Sequence, residues 1–231
     1  MSIKVITVAE YILGANEEKA KNNQDRLSRH GILTINIMSS PGSGKTSLIL
    51  NTINRFKKKV RIAVIEGDVA SSVDAEKVNE QGVPVVQINT AGGCHLDANM
   101  IESALNDLPV DETDLLLIEN VGNLICPVGF ALGEHKRIMI LSLPEGDDKP
   151  YKYPSIFADV DVVLLNKIDL KPYLDFDIDA FQKKLTGLNP GVKIFQVSCK
   201  TGDGLETWFS WLESEIKEAK KAKHNDQKPG A

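Results

Sequence analysis

Residues 35–46 read INIMSSPGSGKT, an apolar run, Ile35–Met38, that passes directly into SSPGSGKT at positions 39–46. The segment beyond, Leu48–Phe56, has helical spacing, so the stretch is a strand, a Gly-rich turn and a helix start. That order decides the fold, because a buried strand feeding a helix through such a turn is the repeating unit of an open α/β sheet. It also describes a cradle for nucleotide phosphates. Pro41, Gly42, Ser43 and Gly44 form the turn, and Lys45, Thr46 and Ser47 open the helix, with backbone N–H groups directed at phosphate oxygens. Lys45 is placed to reach the β- and γ-phosphates, and the Thr46 hydroxyl to hold Mg²⁺. The strict pattern G-x-x-x-x-G-K-S/T is departed from once, with Ser39 in place of its first Gly. Ser tolerates positive φ less readily than Gly, which makes the backbone at Ser39 the first geometry to inspect.

Outward from this stretch, apolar runs alternate with helix-like segments. Strands are expected at Ile32–Met38, Arg61–Glu66, Pro84–Ile88, Asp114–Ile118, Arg137–Ser142, Val160–Leu165 and Lys193–Val197. Helices are expected at Ser47–Arg55, Ser72–Glu80, Asp97–Asn106, Asp177–Thr186 and Gly204–Ala219. Runs such as LLLI, IMIL and VVLL are continuous rather than alternating, as in parallel strands buried on both faces. The expected fold is therefore an open, mostly parallel sheet flanked by helices, with ligands at the carboxyl ends of the strands. Residues 1–30 read as an N-terminal extension with an amphipathic helix over 8–30, carrying Val8, Ile12, Ala15 and Leu27. Residues 31–215 form the nucleotide-binding domain, and 216–231 a flexible basic tail.

NKID, Asn166–Asp169, follows the apolar strand VVLLN. A carboxylate at Asp169 can accept both N1–H and the N2 amino group of guanine, a donor pair adenine lacks. Asn166 can brace the loop, and the Lys167 stem can lie along the base. Further on, Ser198-Cys199-Lys200 follows the strand KIFQV and is similar to the Ser-Ala-Lys loop that GTPases place against guanine, with Cys199 a small structural residue in place of the Ala. Two acids end strands on the ligand edge. Asp68 closes RIAVIEGD and is a candidate for holding a Mg²⁺ water or orienting the attacking water. Glu119 closes DLLLIE, and with Lys45, Thr46 and Asp68 completes the expected catalytic and magnesium set.

INTAGGCHLDAN places Cys94 beside His95 after a Gly-Gly turn, and Cys126 lies in ENVGNLICPVGF. Cys and His suit Zn²⁺, Ni²⁺ or Cu. Two or three ligands per chain invite a site completed across a two-fold axis, which would tie metal binding to dimerisation. His135 in LGEHKR is a weaker candidate, expected at the surface.

The chain has 231 residues, 42% hydrophobic and 26% charged, with net charge −5. That balance suits one globular domain and argues against a general nucleic-acid binder. No apolar run is long enough to cross a bilayer, and Lys4 and Glu10 interrupt the first residues, so neither a membrane span nor a secretory signal is expected. Three cysteines point to reduced thiols in a cytoplasm.

These segments together resemble one family, the HypB-type GTPases of nickel–iron hydrogenase maturation. The resemblance runs from about residue 30 to about residue 210. It is carried by SSPGSGKT, IEGDVASSVDAE, GVPVVQINTAGGCHLDANM, DLLLIENVGNLICPVGF, LSLPEGDDKPYKYP and VVLLNKIDL. It implies a P-loop G domain of the signal-recognition and MinD-like (SIMIBI) class. It implies Mg²⁺-dependent hydrolysis of GTP to GDP and a Ni²⁺ or Zn²⁺ site at Cys94, His95 and Cys126 on a homodimer interface. The implied partners are a nickel-delivering HypA-type accessory protein and a hydrogenase large-subunit precursor. The chain departs from the pattern in lacking an N-terminal Cys-rich or His-rich nickel segment, and Ser40 stands where MinD-like ATPases often have a signature lysine. Lys149, in EGDDKPYKYP, is a candidate for contact with a partner's nucleotide. The alternatives are a GTPase serving another nickel enzyme such as urease, an ATP-using P-loop kinase, which NKID argues against, and a metal buffer without turnover.

Overall fold

The computed structural model describes residues 8–226. In chain order the elements are α1 (Val8–His30), β1 (Leu33–Ser39), α2 (Lys45–Phe56), β2 (Ile62–Asp68), α3 (Val73–Asn79), β3 (Val85–Asn89) and α4 (Ala98–Asp107). Then come β4 (Leu115–Glu119), β5 (Lys136–Ser142), α5 (Lys149–Lys152), α6 (Pro154–Ala158), β6 (Val162–Asn166), α7 (Ile178–Leu188), β7 (Lys193–Gln196) and α8 (Leu205–Asp226). All seven expected strands are present and form one parallel sheet in the order β3-β2-β4-β1-β5-β6-β7. β1 lies at its centre, so the loop after it opens between the ends of β4 and β5.

The continuous apolar runs are explained by burial on both faces. Along β4, Leu115 and Leu117 pack with β1 residues Leu33, Ile35 and Ile37 beneath α2 and α8. Leu116 and Ile118 face the opposite way, toward α4 and Leu27 of α1. Met139, Leu141, Val163 and Leu165 pack against Phe157 of α6 and Phe181 of α7. Local chemistry sets helix starts: Asp97 accepts from Met100 N at the head of α4, and Asp177 from Ala180 N at the head of α7.

Two expectations at the edges of the domain are revised. The first is the apolar stripe of α1: Ile12 is 51% exposed and Ala15 is also exposed. Its inward face is Asn16, Ala20, Asn23 and Leu27, all buried, so Leu27 of the expected stripe enters the core and two asparagines join it there. The side chain of Val8 lies outside what is described. The second is the boundary at residue 216, which is no break in structure. α8 continues to Asp226, because Ile216 follows Leu212 by one turn into the core, and Lys220 pairs with buried Asp114 at 3.2 Å. Residues 227–231 of the expected tail lie outside the described residues. Within the domain, the segment EGDDKPYKYP holds two short helices, α5 and α6, each started by a proline in its first turn.

Candidate nucleotide and metal site

Ser39 is the last residue of β1, fully buried, and does not have positive φ; the left-handed positions in the loop are Gly42 (φ 74°) and Gly44 (φ 109°). The Ser39 side chain takes a task of its own. Its Oγ donates to Ser40 O at 2.6 Å and accepts from Lys45 Nζ at 3.1 Å, holding the lysine across the turn. α2 begins at Lys45 with no side-chain cap on its first N–H groups, which leaves those donors for an anion. The loop is braced from the β5 side as well: Ser43 Oγ donates to Glu145 Oε1 at 2.6 Å, and the same oxygen accepts from Ser142 N and Ser142 Oγ.

Pro41, Gly42, Gly44, Lys45, Thr46, Ser47, Asp68, Glu119 and Gly122 all line one cleft of about 400 Å³. Thr46 Oγ1 donates to Glu119 Oε1 at 3.2 Å, and Lys45 Nζ lies 3.8 Å from the same oxygen. The other carboxylate oxygen, Glu119 Oε2, is buried without a partner. A buried, unpaired carboxylate oxygen beside a threonine hydroxyl fits a divalent cation. Asp68 Oδ1 accepts from Ala70 N at 2.9 Å and Ser71 N at 2.7 Å, and these bonds hold its carboxyl below the usual range, so it stays ionised.

Glu66 escaped the sequence reading. It pairs in register with Glu119 on neighbouring strands and is 2% exposed. Burial, reinforced by the Glu119 charge, pushes its carboxyl strongly upward; burial also raises Glu119, against the pull of Lys45. The available signal was a lone acid inside the apolar run AVIE.

The expected base loops close over the far side of the phosphate loop. Asn166 is buried, donates from Nδ2 to Ser43 O at 2.8 Å, and accepts from Cys199 N at 3.1 Å. Lys167 adopts φ 63°, and its Nζ donates to Gly42 O at 2.8 Å. Ser198 Oγ donates to Asp169 Oδ1 at 2.6 Å, orienting that carboxylate. Cys199 is pushed up to about 12 by burial and packs against the core, in keeping with a structural thiol. Lys200 is exposed. Lys149 stands apart, with its Nζ over the Tyr153 ring at 5.4 Å.

Cys94, His95 and Cys126 converge: one ligand atom from each lies within 4.8 Å of the others. Cys94 Sγ is 3.6 Å from His95 Nδ1, and the neighbouring Cys126 thiol, with burial, raises the Cys94 pKa. Asn123 sets the Cys126 turn by accepting from the N–H groups of Ile125 and Cys126. The His95 ring stacks on Phe130 with centroids 3.9 Å apart, and burial lowers its pKa, keeping it neutral as a metal ligand must be. His135 is elsewhere, at the amino end of β5. It is partly buried, accepting from Thr34 N and meeting Ser28 Oγ at 2.9 Å, so it serves packing.

The two sites share a segment. Glu119 touches Thr46; Asn120 Oδ1 accepts from Leu96 N, directly after His95; Gly122 presses on Pro41, where a Cβ would fall 3.0 Å from the ring; and Cys126 follows four residues later.

A central phosphate loop on a seven-stranded parallel sheet, with a Cys/His cluster on the same edge, defines a P-loop nucleotide-binding protein with a metal-competent second site. The chain belongs to the CobW/HypB/UreG family, whose nucleotide-binding domain matches residues 33–196, and its relatives place it with the HypB hydrogenase maturation factors. It is 44% identical to the hydrogenase maturation factor HypB of Escherichia coli (strain K12) over 92% of this chain and 73% of that protein. It is 43% identical to the probable hydrogenase maturation factor HypB of Methanocaldococcus jannaschii over 94% of this chain and 99% of that protein. Among solved structures, HypB from Archaeoglobus fulgidus superposes with a TM-score of 0.83 at 41% identity, covering 88% of this chain and 99% of that one. HypB from Helicobacter pylori in complex with nickel also gives 0.83, at 38% identity, covering 88% and 96%. FtsY of Mycoplasma mycoides, at 12% identity and a TM-score of 0.54 over 87% of this chain and 77% of that one, shares the fold alone. Among the described residues, no helix is long and apolar enough to cross a membrane.

Proposed function

We propose that this protein is a GTP-hydrolysing nickel metallochaperone that helps to insert nickel into hydrogenase. The observation that carries the reading is the shared segment: the residues from Glu119 to Cys126 touch the phosphate loop at one end and bear a metal ligand at the other. Asp169, oriented by Ser198, reads guanine, and Asn166, Lys167, Cys199 and Lys200 frame the base. Thr46, Glu119 and Asp68 would hold Mg²⁺, which neutralises charge between the β- and γ-phosphates. Lys45 stabilises the γ-phosphate, and ionised Asp68 accepts a hydrogen bond from the attacking water.

The cargo ion, Ni²⁺ with Zn²⁺ as competitor, takes Cys94, His95 and Cys126, and a second copy of the chain completes the site. GTP orders the Asp68 and Glu119 loops and favours the homodimer, where Lys149 reaches the partner's nucleotide. Hydrolysis resets the metal loops, and nickel passes onward. A HypA-type accessory protein supplies the metal and a hydrogenase large-subunit precursor receives it, all within the cytoplasm.

If nucleotide changes metal affinity, metal changes nucleotide affinity by the same factor, by linkage. Calorimetric titration of Ni²⁺ into the protein with a GTP analogue and with GDP tests this; identical affinities would refute the coupling. A second reading, service to urease, is favoured by the Helicobacter pylori relative described as a hydrogenase/urease maturation factor, 37% identical over 97% of this chain and 94% of that protein.

A further inference from the structure

α1 faces the domain through amide side chains, and their partners are not scattered. Asn16 Nδ2 donates to Ala131 O at 2.8 Å, while its Oδ1 accepts from Ala98 N at 2.9 Å. Asn23 Nδ2 donates to Ala98 O at 2.9 Å and to Leu132 O at 3.1 Å. Both residues are at least nine-tenths buried, at 4% and 2% exposure. Ala98 is the first residue of α4, three positions after His95. Ala131 and Leu132 close the loop that carries Cys126 and Phe130, the ring under His95. Each asparagine therefore ties the segment behind His95 to the segment behind Cys126.

The approach is close enough to demand a glycine. Gly133 has φ 97°, and a Cβ there would lie 2.6 Å from Asn23 Cβ and 2.7 Å from Ala20 O. Leu13 also reaches within 3.6 Å of where a Cβ on Gly129 would stand. Gln24 Nε2 continues the seam to Glu134 O at 2.8 Å.

We propose that Asn16 and Asn23 are positioning residues of the metal site: α1 is a staple that sets the spacing between His95 and Cys126. The fold does not need amides there for burial alone. Apolar residues at these helical positions would bury more favourably, but they would leave the Ala98 N–H and the carbonyls of Ala131 and Leu132 without their side-chain partners. Outer partners of this kind hold ligands to the geometry a metal requires. The inference rests on the reading of Cys94, His95 and Cys126 as metal ligands.

The test uses the full chain and Co²⁺ as a spectroscopic probe beside Ni²⁺, with GDP affinity measured in parallel. Asn16→Asp keeps the acceptor for Ala98 N but replaces the donor to Ala131 O, so it cuts only the Cys126 side. Asn23→Leu removes both of its bonds. Gly133→Ala keeps both amides but pushes the loop off the helix. The expected result for all three is metal affinity weakened about tenfold, an altered cobalt d–d spectrum, and GDP affinity within about twofold. Metal affinity and spectrum unchanged in folded variants would overturn the proposal. So would an equal fall in metal and GDP affinity, which marks a general scaffold. Failure of the unmodified protein to bind metal, or no loss on Cys94→Ala, would instead sink the ligand reading beneath it.

Discussion

Asn166, at the end of β6, reaches across to the phosphate loop and donates to the carbonyl of Ser43 at 2.8 Å, through space that Gly44 leaves empty. A Cβ on Gly44 would fall 2.3 Å from Asn166 Nδ2. The loop after β6 and the phosphate loop are thus tied together directly, through Asn166 to Ser43 O and Lys167 to Gly42 O. Asn166→Ala should destabilise the protein by about 2–3 kcal/mol, since Ser43 O and Cys199 N–H lose a buried partner. Urea unfolding against the unmodified chain measures it. Gly44→Ala, strained by its φ of 109° as well, should abolish measurable nucleotide binding.

Lys45 is the cation nearest the buried Glu66–Glu119 pair and is held by Ser39. Lys45→Ala should lower GTP turnover at least about 100-fold, because it removes preorganised charge at the γ-phosphate. It also leaves two buried carboxyl groups without their cation. Phosphate release and thermal melting of the nucleotide-free protein should therefore both fall; turnover within a few-fold of the unmodified protein would count against the assignment.

Acid stability should reflect Asp114. Its carboxyl lies at about 2, where the bonds from Arg61 and Lys220 outweigh burial. A folded pKa below the unfolded value adds stability above about pH 4, and that contribution is lost as pH falls toward 2. Arg61 is exposed and screened, so the contribution is about 1 kcal/mol. Unfolding free energies of Asp114→Asn should accordingly show a flatter slope between pH 4 and 2 than those of the unmodified chain.

Thiol chemistry should separate the cysteines. Cys199, raised to about 12 by burial, stays a neutral thiol at pH 8 and should resist iodoacetamide in the native protein. Mass mapping after brief alkylation decides the point; rapid labelling of Cys199 would show that its loop opens.

Much of the fold was legible because a doubly covered parallel strand has a conspicuous composition, and VVLLN or LLLIE admits few other placements. The ligand edge was legible for the same reason: once the strands are placed, Asp68, Glu119, Asn166, Cys94 and Cys126 fall at their carboxyl ends. Glu66 was hidden because it lies within a strand, one residue short of the conspicuous Gly-Asp. The docking of α1 was hidden more deeply. Asn16 and Asn23 look like solvated residues until the carbonyls they satisfy are brought to them by chain more than seventy residues away. The segment after residue 215 looked frayed from its lysines, yet each lysine stem can lie along a helix whose other face carries Ile216.

Lys223 of α8 donates to the carbonyl of His30 at 3.1 Å and packs on Gly31, just before β1 begins. The end of α8 therefore lies at the amino edge of the sheet, opposite the phosphate loop and the Cys94, His95 and Cys126 cluster. A surface tether, fluorophore or affinity handle joined beyond α8 would leave that working edge facing open solution, and two immobilised copies could still be presented to one another across it.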